Sequence, residues 1–238
     1  VGDGTLEMGV GFGAYWPGMI DVGIIESGLA TAWANYGQAL YFWYGKGFGD
    51  LVREAYAEHN VHYICPEFGS DYELLTKGPV SSLDDMKGLK IRATASTAAI
   101  LEKFDIATVY LPPEELYVSL ATGVIDGVIY GGAFDYENLK LQEVASYYTK
   151  ILLLNPGYVD NHFVNMDAWN ALPEDLQRIV EIATWYLADD FHRFAEVGNY
   201  ETLGKELFAT ASLPPEDGAR LVAASQDAWD EEAAKSPR

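Results

Sequence analysis

The 238-residue chain has a single cysteine, Cys65, so no disulfide can form within it, and the thiol reads as a small buried apolar side chain. Positive charge is also scarce: 15 Lys and Arg stand against 36 Asp and Glu, a net charge of −21. Nucleic-acid binding needs a basic face that displaces counterions, and adsorption to anionic lipid needs a polybasic patch, so neither partner is expected. No run approaches the ~18 consecutive apolar residues of a spanning helix, so no direct membrane insertion is expected either. G-x-S-x-G, H-E-x-x-H and C-x-x-C are all missing. Carboxylates abound, but abundance does not make a catalytic dyad, and no enzyme activity is expected. No internal repeat or low-complexity segment is visible.

What is present describes a folded α/β protein. Half the chain (49%) is hydrophobic and 13% is aromatic, which excludes a disordered chain. Residues 83–130 organise the rest. Asp84 or Asp85 caps a short turn, Gly88 breaks it, and 89–93 reads as a strand carrying Arg92 where it gives way to loop and helix. A helix over 94–104, a strand over 105–111, a Pro112-Pro113 start to a helix over 114–121 and a strand near 127–130 complete a sheet layer. In open α/β sheets ligands bind at the ends of such strands. Taken locally, Arg92 is either a ligand anchor or a surface arginine that caps a helix C-terminus or pairs with Asp84.

On the N-terminal side, 5–10 alternates like a strand, and Gly11 and Gly13 turn the chain onto Tyr15 and Trp16, which either stack on a ligand or pack locally. A helix is expected over 29–44. The glycine-rich 45–49 follows no strand and reads as a helix break, not a phosphate loop. His59 and His62 have metal-ligand spacing but no companions and read as solvated or packed. A strand over 61–66 leads into an acidic stretch, 67–73. On the C-terminal side, a helix over 135–146, loosened at its start by Gly131-Gly132, precedes a strand over 148–154, a turn over 155–157 and a strand over 160–165. Asn161 and His162 of that last strand either reach a cleft or satisfy backbone groups. A long helix runs over 172–207 and a final one over 214–229.

The string Leu83-Asp84-Asp85-Met86-Lys87-Gly88-Leu89-Lys90-Ile91-Arg92, together with Leu111-Pro112-Pro113-Glu114-Glu115-Leu116-Tyr117 and Ala121-Thr122-Gly123-Val124-Ile125-Asp126-Gly127, resembles the solute-binding proteins of TRAP transporters. Asn165-Met166-Asp167-Ala168-Trp169-Asn170-Ala171-Leu172-Pro173 resembles that family's segment before its long helix, and 4–13 its strand near the edge of the first lobe. The resemblance covers nearly the whole chain. It implies an α/β, two-lobed periplasmic-binding-protein (Venus-flytrap) fold with hinge strands and a long C-terminal helix. Lobe I would hold 1–69 plus 157–198 and lobe II 70–156 plus 199–238. The family carries a further strand and helix ahead of this point, so lobe I is expected to be N-terminally incomplete.

The function so implied is capture of a small organic acid between the lobes and its delivery to TRAP membrane subunits, in the periplasm; no signal peptide is present in this chain, and that leaves export undecided. A ligand-sensing domain of the same fold, or an α/β enzyme acting on an organic acid, are the alternatives. The family's carboxylate-binding arginine falls on Arg92. Asp71 stands near a metal-assisting glutamine of the keto-acid binders. Where most members carry polar side chains after Asp126-Gly127, this chain has Val128-Ile129-Tyr130, which puts metal-assisted binding in doubt and indicates a more apolar ligand. Candidate ligand-binding residues are therefore Arg92, Tyr130, Tyr15, Trp16, Asp71 and Asn161, with no catalytic residue, no metal ligand and no cofactor expected.

Overall fold

The structure, a computed structural model, describes residues 1–16, 18–154 and 156–236. In chain order its elements are β1 (Met8–Phe12), α1 (Gly23–Glu26), α2 (Tyr36–Leu40), α3 (Phe48–Ala57), β2 (Val61–Phe68), β3 (Tyr72–Thr76), β4 (Lys90–Arg92), α4 (Ala95–Leu101), β5 (Ala107–Val109), α5 (Leu116–Thr122), β6 (Gly127–Ile129), α6 (Ala133–Asn138), β7 (Tyr147–Leu154), β8 (Val159–Asn165), α7 (Met166–Ala171), α8 (Glu174–Gly204), β9 (Ala209–Ser212) and α9 (Pro215–Ala233). The strands form two sheets, ordered β1-β8-β2 and β5-β4-β6-β3-β7-β9.

The inner strands of each sheet are buried on both faces while the edge strands β1, β5 and β9 are partly exposed, and strand alternation decides which residue meets which layer. In β3, Leu74 packs with Ile91, Ile100 and Leu221, while Leu75 packs with Val128, Leu116 and Tyr136. The smaller sheet sets Tyr63, Phe68 and Val159 against Trp43, Phe48 and Val52, and Ile64, Cys65 and Val164 against Trp169 and Ala188. Cys65 is accordingly buried, and that burial pushes its thiol up to about 12. His62 stacks flat on Trp169, its ring centroid 4.1 Å away, so its role is packing.

The helix expected over 29–44 is only partly realised. Trp33 is buried in irregular backbone ahead of α2, α2 is five residues long, and 41–45 form a π-helical turn that puts Trp43 in the core. Large aromatic side chains are weak helix formers, and here their burial takes precedence over regular winding. The helix expected over 135–146 likewise stops at Asn138, Lys140 takes a positive φ, and a 3-10 turn covers 141–143. Gly131 and Gly132 serve close approach more than looseness. A Cβ on Gly131 would meet Asp135, and one on Gly132 would meet Asn199 of α8.

Two connections cross between the sheets side by side. One joins β2 to β3 and the other joins β7 to β8, and the Gly69 N–H donates to the Tyr158 carbonyl at 2.9 Å where they meet. Asn155, part of the turn expected over 155–157, lies outside the described residues. Gly157 has φ +88°, and a Cβ there would collide with the Ser70 carbonyl. The long α8 is the third link. It contacts β2 of the smaller sheet and α6 beside the larger one, and it runs without a break across residue 198.

The β1–α1 connection is tied down by a buried network. The Tyr56 hydroxyl donates to Glu26 Oε1 at 2.5 Å, and Trp16 Nε1 donates to the Tyr56 oxygen at 3.3 Å. The Ala14 N–H donates to Ser27 Oγ at 2.7 Å. Burial pushes the Glu26 carboxyl from its ordinary 4.5 up to about 8, and the single Tyr56 bond opposes this only in part.

Two predictions follow from these contacts. Gly157→Ala combines a left-handed backbone, costing ~1–2 kcal/mol, with a backbone collision, and is expected to lower unfolding stability by more than Gly88→Ala, whose φ of +82° opens on free space. Equal losses in denaturant unfolding would refute the tight-crossing argument. The Glu26 pKa is raised on folding, so its contribution is fully present below pH 4.5 and is lost as pH rises through about 8. Glu26→Gln is expected to flatten that decline and to be the more stable protein at pH 9. Parallel stability profiles for the two proteins between pH 5 and 9 would show that Glu26 titrates normally.

Candidate functional site

β4 lies between β5 and β6, and both pairings are parallel, so the three strands end at one edge of the sheet. Arg92 is the last residue of β4 and its side chain turns along that edge. Its Nε donates to the Leu111 carbonyl at 3.0 Å, just past β5, and its Nη1 donates to the Ile129 carbonyl, the last of β6, at 2.9 Å. The guanidinium lies 5.3 Å from the Tyr110 ring and 5.1 Å from the Tyr130 ring. Arg92 is only 2% exposed. Among the described residues no carboxylate forms an ion pair with it, and Asp84 pairs with Lys87 instead. A buried charge is ordinarily paired. Here a cation is held by two neutral carbonyls and two rings, with a counter-charge still to be supplied.

Arg92 lines a cavity of about 280 Å³ between the two sheets. Phe12 of β1, Tyr15, Tyr72 of β3, Thr94, Tyr130, Asp135 of α6, Tyr158 and Asp160 of β8 complete most of its wall. The rings make a continuous belt. Centroid distances run 5.2 Å from Tyr15 to Phe12, 6.4 Å from Phe12 to Tyr158, 5.4 Å from Tyr158 to Tyr72 and 6.2 Å from Tyr72 to Tyr130. From Tyr130 the belt passes through the guanidinium to Tyr110, whose hydroxyl neighbours that of Tyr15. Tyr15 is 62% exposed, and partial desolvation of its hydroxyl, with Tyr110 next in size, raises its pKa, so it stays protonated at neutral pH.

Two carboxylates face the same cavity. Asp135 accepts from the Gly132 N–H at 2.9 Å and from Ser70 Oγ at 3.1 Å, and burial still raises its pKa. Asp160 sits opposite Phe12 on one side and Glu67 on the other. Burial, then the Glu67 charge, push its carboxyl up to about 6, against a smaller opposing effect of His162.

Of the residues singled out from sequence, the structure brings Arg92, Tyr130 and Tyr15 to this cavity and leaves three off it. Trp16 turns to the far side of its loop, packs edge-on to Phe163 at 5.9 Å and lines a separate apolar groove with Tyr56. Asp71 lies near Glu196 and Lys150, and burial pushes it up to about 6. Asn161 is fully buried, and its Oδ1 accepts from the Tyr63 hydroxyl at 3.0 Å. His162 shares the parity of Asp160 but is bonded to Glu67 at 2.8 Å.

Sequence reasoning missed Phe12, Tyr72, Tyr158, Asp135 and Asp160. Tyr158 and Asp160 are two apart, which on an extended segment puts them on one face. The choice of Asn161 selected the opposite face. Among the described residues no three His, Cys, Asp or Glu side chains gather as a metal-binding group.

A model of the bacterial extracellular solute-binding protein family 7, DctP, matches residues 4–236. A monocarboxylate 2-oxoacid-binding periplasmic protein of Nostoc sp. is 28% identical over 183 residues, 76% of this chain and 50% of that protein, so the chain spans about half the length of this relative. A TRAP periplasmic solute-binding protein of Chromohalobacter salexigens, solved with (S)-(+)-2-amino-1-propanol, superposes with a TM-score of 0.89 at 22% identity, covering 98% of this chain and 74% of that one. One of Colwellia psychrerythraea, solved with calcium and pyruvate, gives 0.86 at 25% identity, covering 100% and 74%. The fold is thus the two-lobed α/β fold of TRAP solute-binding proteins, and the chain belongs to the bacterial extracellular solute-binding protein family 7.

Proposed function

We propose that this chain is the ligand-holding part of a periplasmic receptor that captures a small organic acid between its lobes and delivers it to a TRAP-type membrane permease. The observation that carries this reading is the buried Arg92 guanidinium, fixed by the Leu111 and Ile129 carbonyls in an inter-sheet cavity and lacking an ion-pair partner among the described residues. Those two bonds engage two of the five guanidinium donors, and the rest suit a carboxylate. Relatives point the same way: one is a 2-oxoacid-binding protein, and others were solved with pyruvate, pyroglutamic acid or orotic acid.

The lobes in this reading are 1–69 plus 157–198 and 70–156 plus 199–238, and they close about the paired crossings at Gly69 and Gly157. The solute touches both, through Phe12, Tyr15 and Asp160 on one side and Arg92 and Tyr130 on the other, so its binding energy favours the closed state. Val128 and Ile129 are wholly buried core residues and supply no side-chain ligand after Asp126-Gly127. In this reading the carboxylate is held directly by Arg92. Among the described residues the cavity offers a charge anchor and aromatic walls, which suits a binder.

A thermal-shift and calorimetry screen against organic acids tests this. A solute at 100 times its Kd should stabilise the fold by ~2.7 kcal/mol. Each charge-assisted bond is worth ~1.5–3 kcal/mol, so Arg92→Lys, which keeps the charge but not the fork, is expected to lose tenfold or more in affinity, and Arg92→Ala to lose binding altogether. Undiminished binding of an acid by folded Arg92→Ala would remove Arg92 as the anchor.

A further inference from the structure

We propose that the solute is a zwitterion, with its carboxylate on Arg92 and an ammonium group, free or methylated, held between Asp160 and the aromatic belt. The inference rests on the carboxylate reading above and adds the second half of the ligand.

The argument begins with the charges in the cavity. Arg92 brings one positive charge, while Asp135 and Asp160 bring two negative ones. Asp135 is already engaged, because its carboxylate accepts from Gly132 and Ser70 and secures the start of α6. Asp160 is not. Among the described residues no donor hydrogen-bonds its carboxylate and no cation forms an ion pair with it. It is nonetheless largely buried, faces Glu67 across the sheet, and remains mostly ionised at neutral pH with its pKa near 6. The site therefore holds two partnerless charges of opposite sign, the Arg92 guanidinium and the Asp160 carboxylate. One molecule with both complementary charges satisfies both.

The walls point to the same chemistry. Asp160 rises between aromatic rings: Phe12 is its direct cross-strand neighbour and Tyr158 lies two residues before it. The belt carries Tyr15 and Tyr72 on from these two. A carboxylate sharing a cavity wall with aromatic rings is an arrangement that can recognise an ammonium group, by ion pairing and by cation–π attraction together. The alternatives fit less well. A dicarboxylate brings its second charge to Asp160 and Asp135, where like charges repel. A neutral-tailed monocarboxylate leaves Asp160 desolvated and unpaired. At about 280 Å³ the cavity falls at the small end of ligand sites and suits a metabolite-sized solute.

The test is calorimetry on the unmodified chain with size-matched probes: α- and ω-amino acids up to 6-aminohexanoate, their trimethylated forms, the corresponding aliphatic acids and the corresponding dicarboxylates. At least one zwitterion is expected to bind tenfold or more tighter than both its aliphatic and its dicarboxylate counterpart. Asp160→Asn should erase that preference, by weakening the zwitterion and by lifting the penalty that an unpaired Asp160 places on the aliphatic acid, and Arg92→Ala should lose both classes. If aliphatic acids or dicarboxylates equal or outbind the zwitterions throughout and still depend on Arg92, the zwitterion proposal falls and the carboxylate reading stands. If no probe of any class binds, both fall. Because the preference is read on the unmodified protein, misfolding of a variant does not obscure the result.

Discussion

The site depends on keeping one guanidinium buried and ionised at the meeting point of three strand ends. Arg92 can lie there only because the parallel register Ile91↔Thr108 and Ile91↔Gly127 brings the ends of β5 and β6 level with its own strand. The Leu111 and Ile129 carbonyls then accept from it, and Tyr110 and Tyr130 flank it. That register is in turn held by the apolar layer of Leu116, Leu120, Ile125 and Val128, all wholly buried. Desolvating a cation is costly, and neutral carbonyls offset only part of that cost. The residual demand for negative charge is what suits the cavity to an anionic group.

The second sheet supplies the other half of the cavity, so the two crossings at Gly69 and Gly157 set its geometry as much as any side chain that touches the solute. They lie close enough for a backbone hydrogen bond, and Gly157 leaves no room for a Cβ beside Ser70. Tyr158 and Asp160 follow Gly157 by one and three residues. The tight turn that permits the crossing therefore also aims the acidic wall of the site.

How much of this could be read in the sequence varied along the chain for physical reasons. Residues 83–130 form a local strand–helix–strand–helix–strand order, so Arg92 could be placed at a strand end without knowledge of distant contacts. Tyr130 ends the same unit, and its candidacy comes from the family resemblance, as a residue standing where most members carry polar side chains after Asp126-Gly127. The acidic wall is assembled by β8 pairing between β1 and β2, which lie far apart in sequence, and only that pairing shows that Asp160 and not Asn161 faces the cavity. Tyr15 and Trp16 are adjacent residues on one loop, and the Tyr56–Glu26 network decides which of them turns inward. Asp71 sits in the crossing, where neither strand nor helix periodicity fixes a direction.

The overall charge bears on the same question as the local one. A chain of net charge −21 repels an approaching anion, and at physiological salt screening removes that field only beyond about 8 Å. An anionic solute must therefore enter against the field and then meet Asp135 and Asp160 beside its anchor. A zwitterion carries no net charge and meets no such barrier, and its dipole is aligned by the cavity itself, with Arg92 at one end and Asp160 at the other. The acidity that works against an anion receptor is thus compatible with one for a molecule that brings its own positive charge. On the zwitterion proposal that acidity would also add selectivity, since the same field that leaves a zwitterion alone would disfavour simple acids and dicarboxylates competing for Arg92.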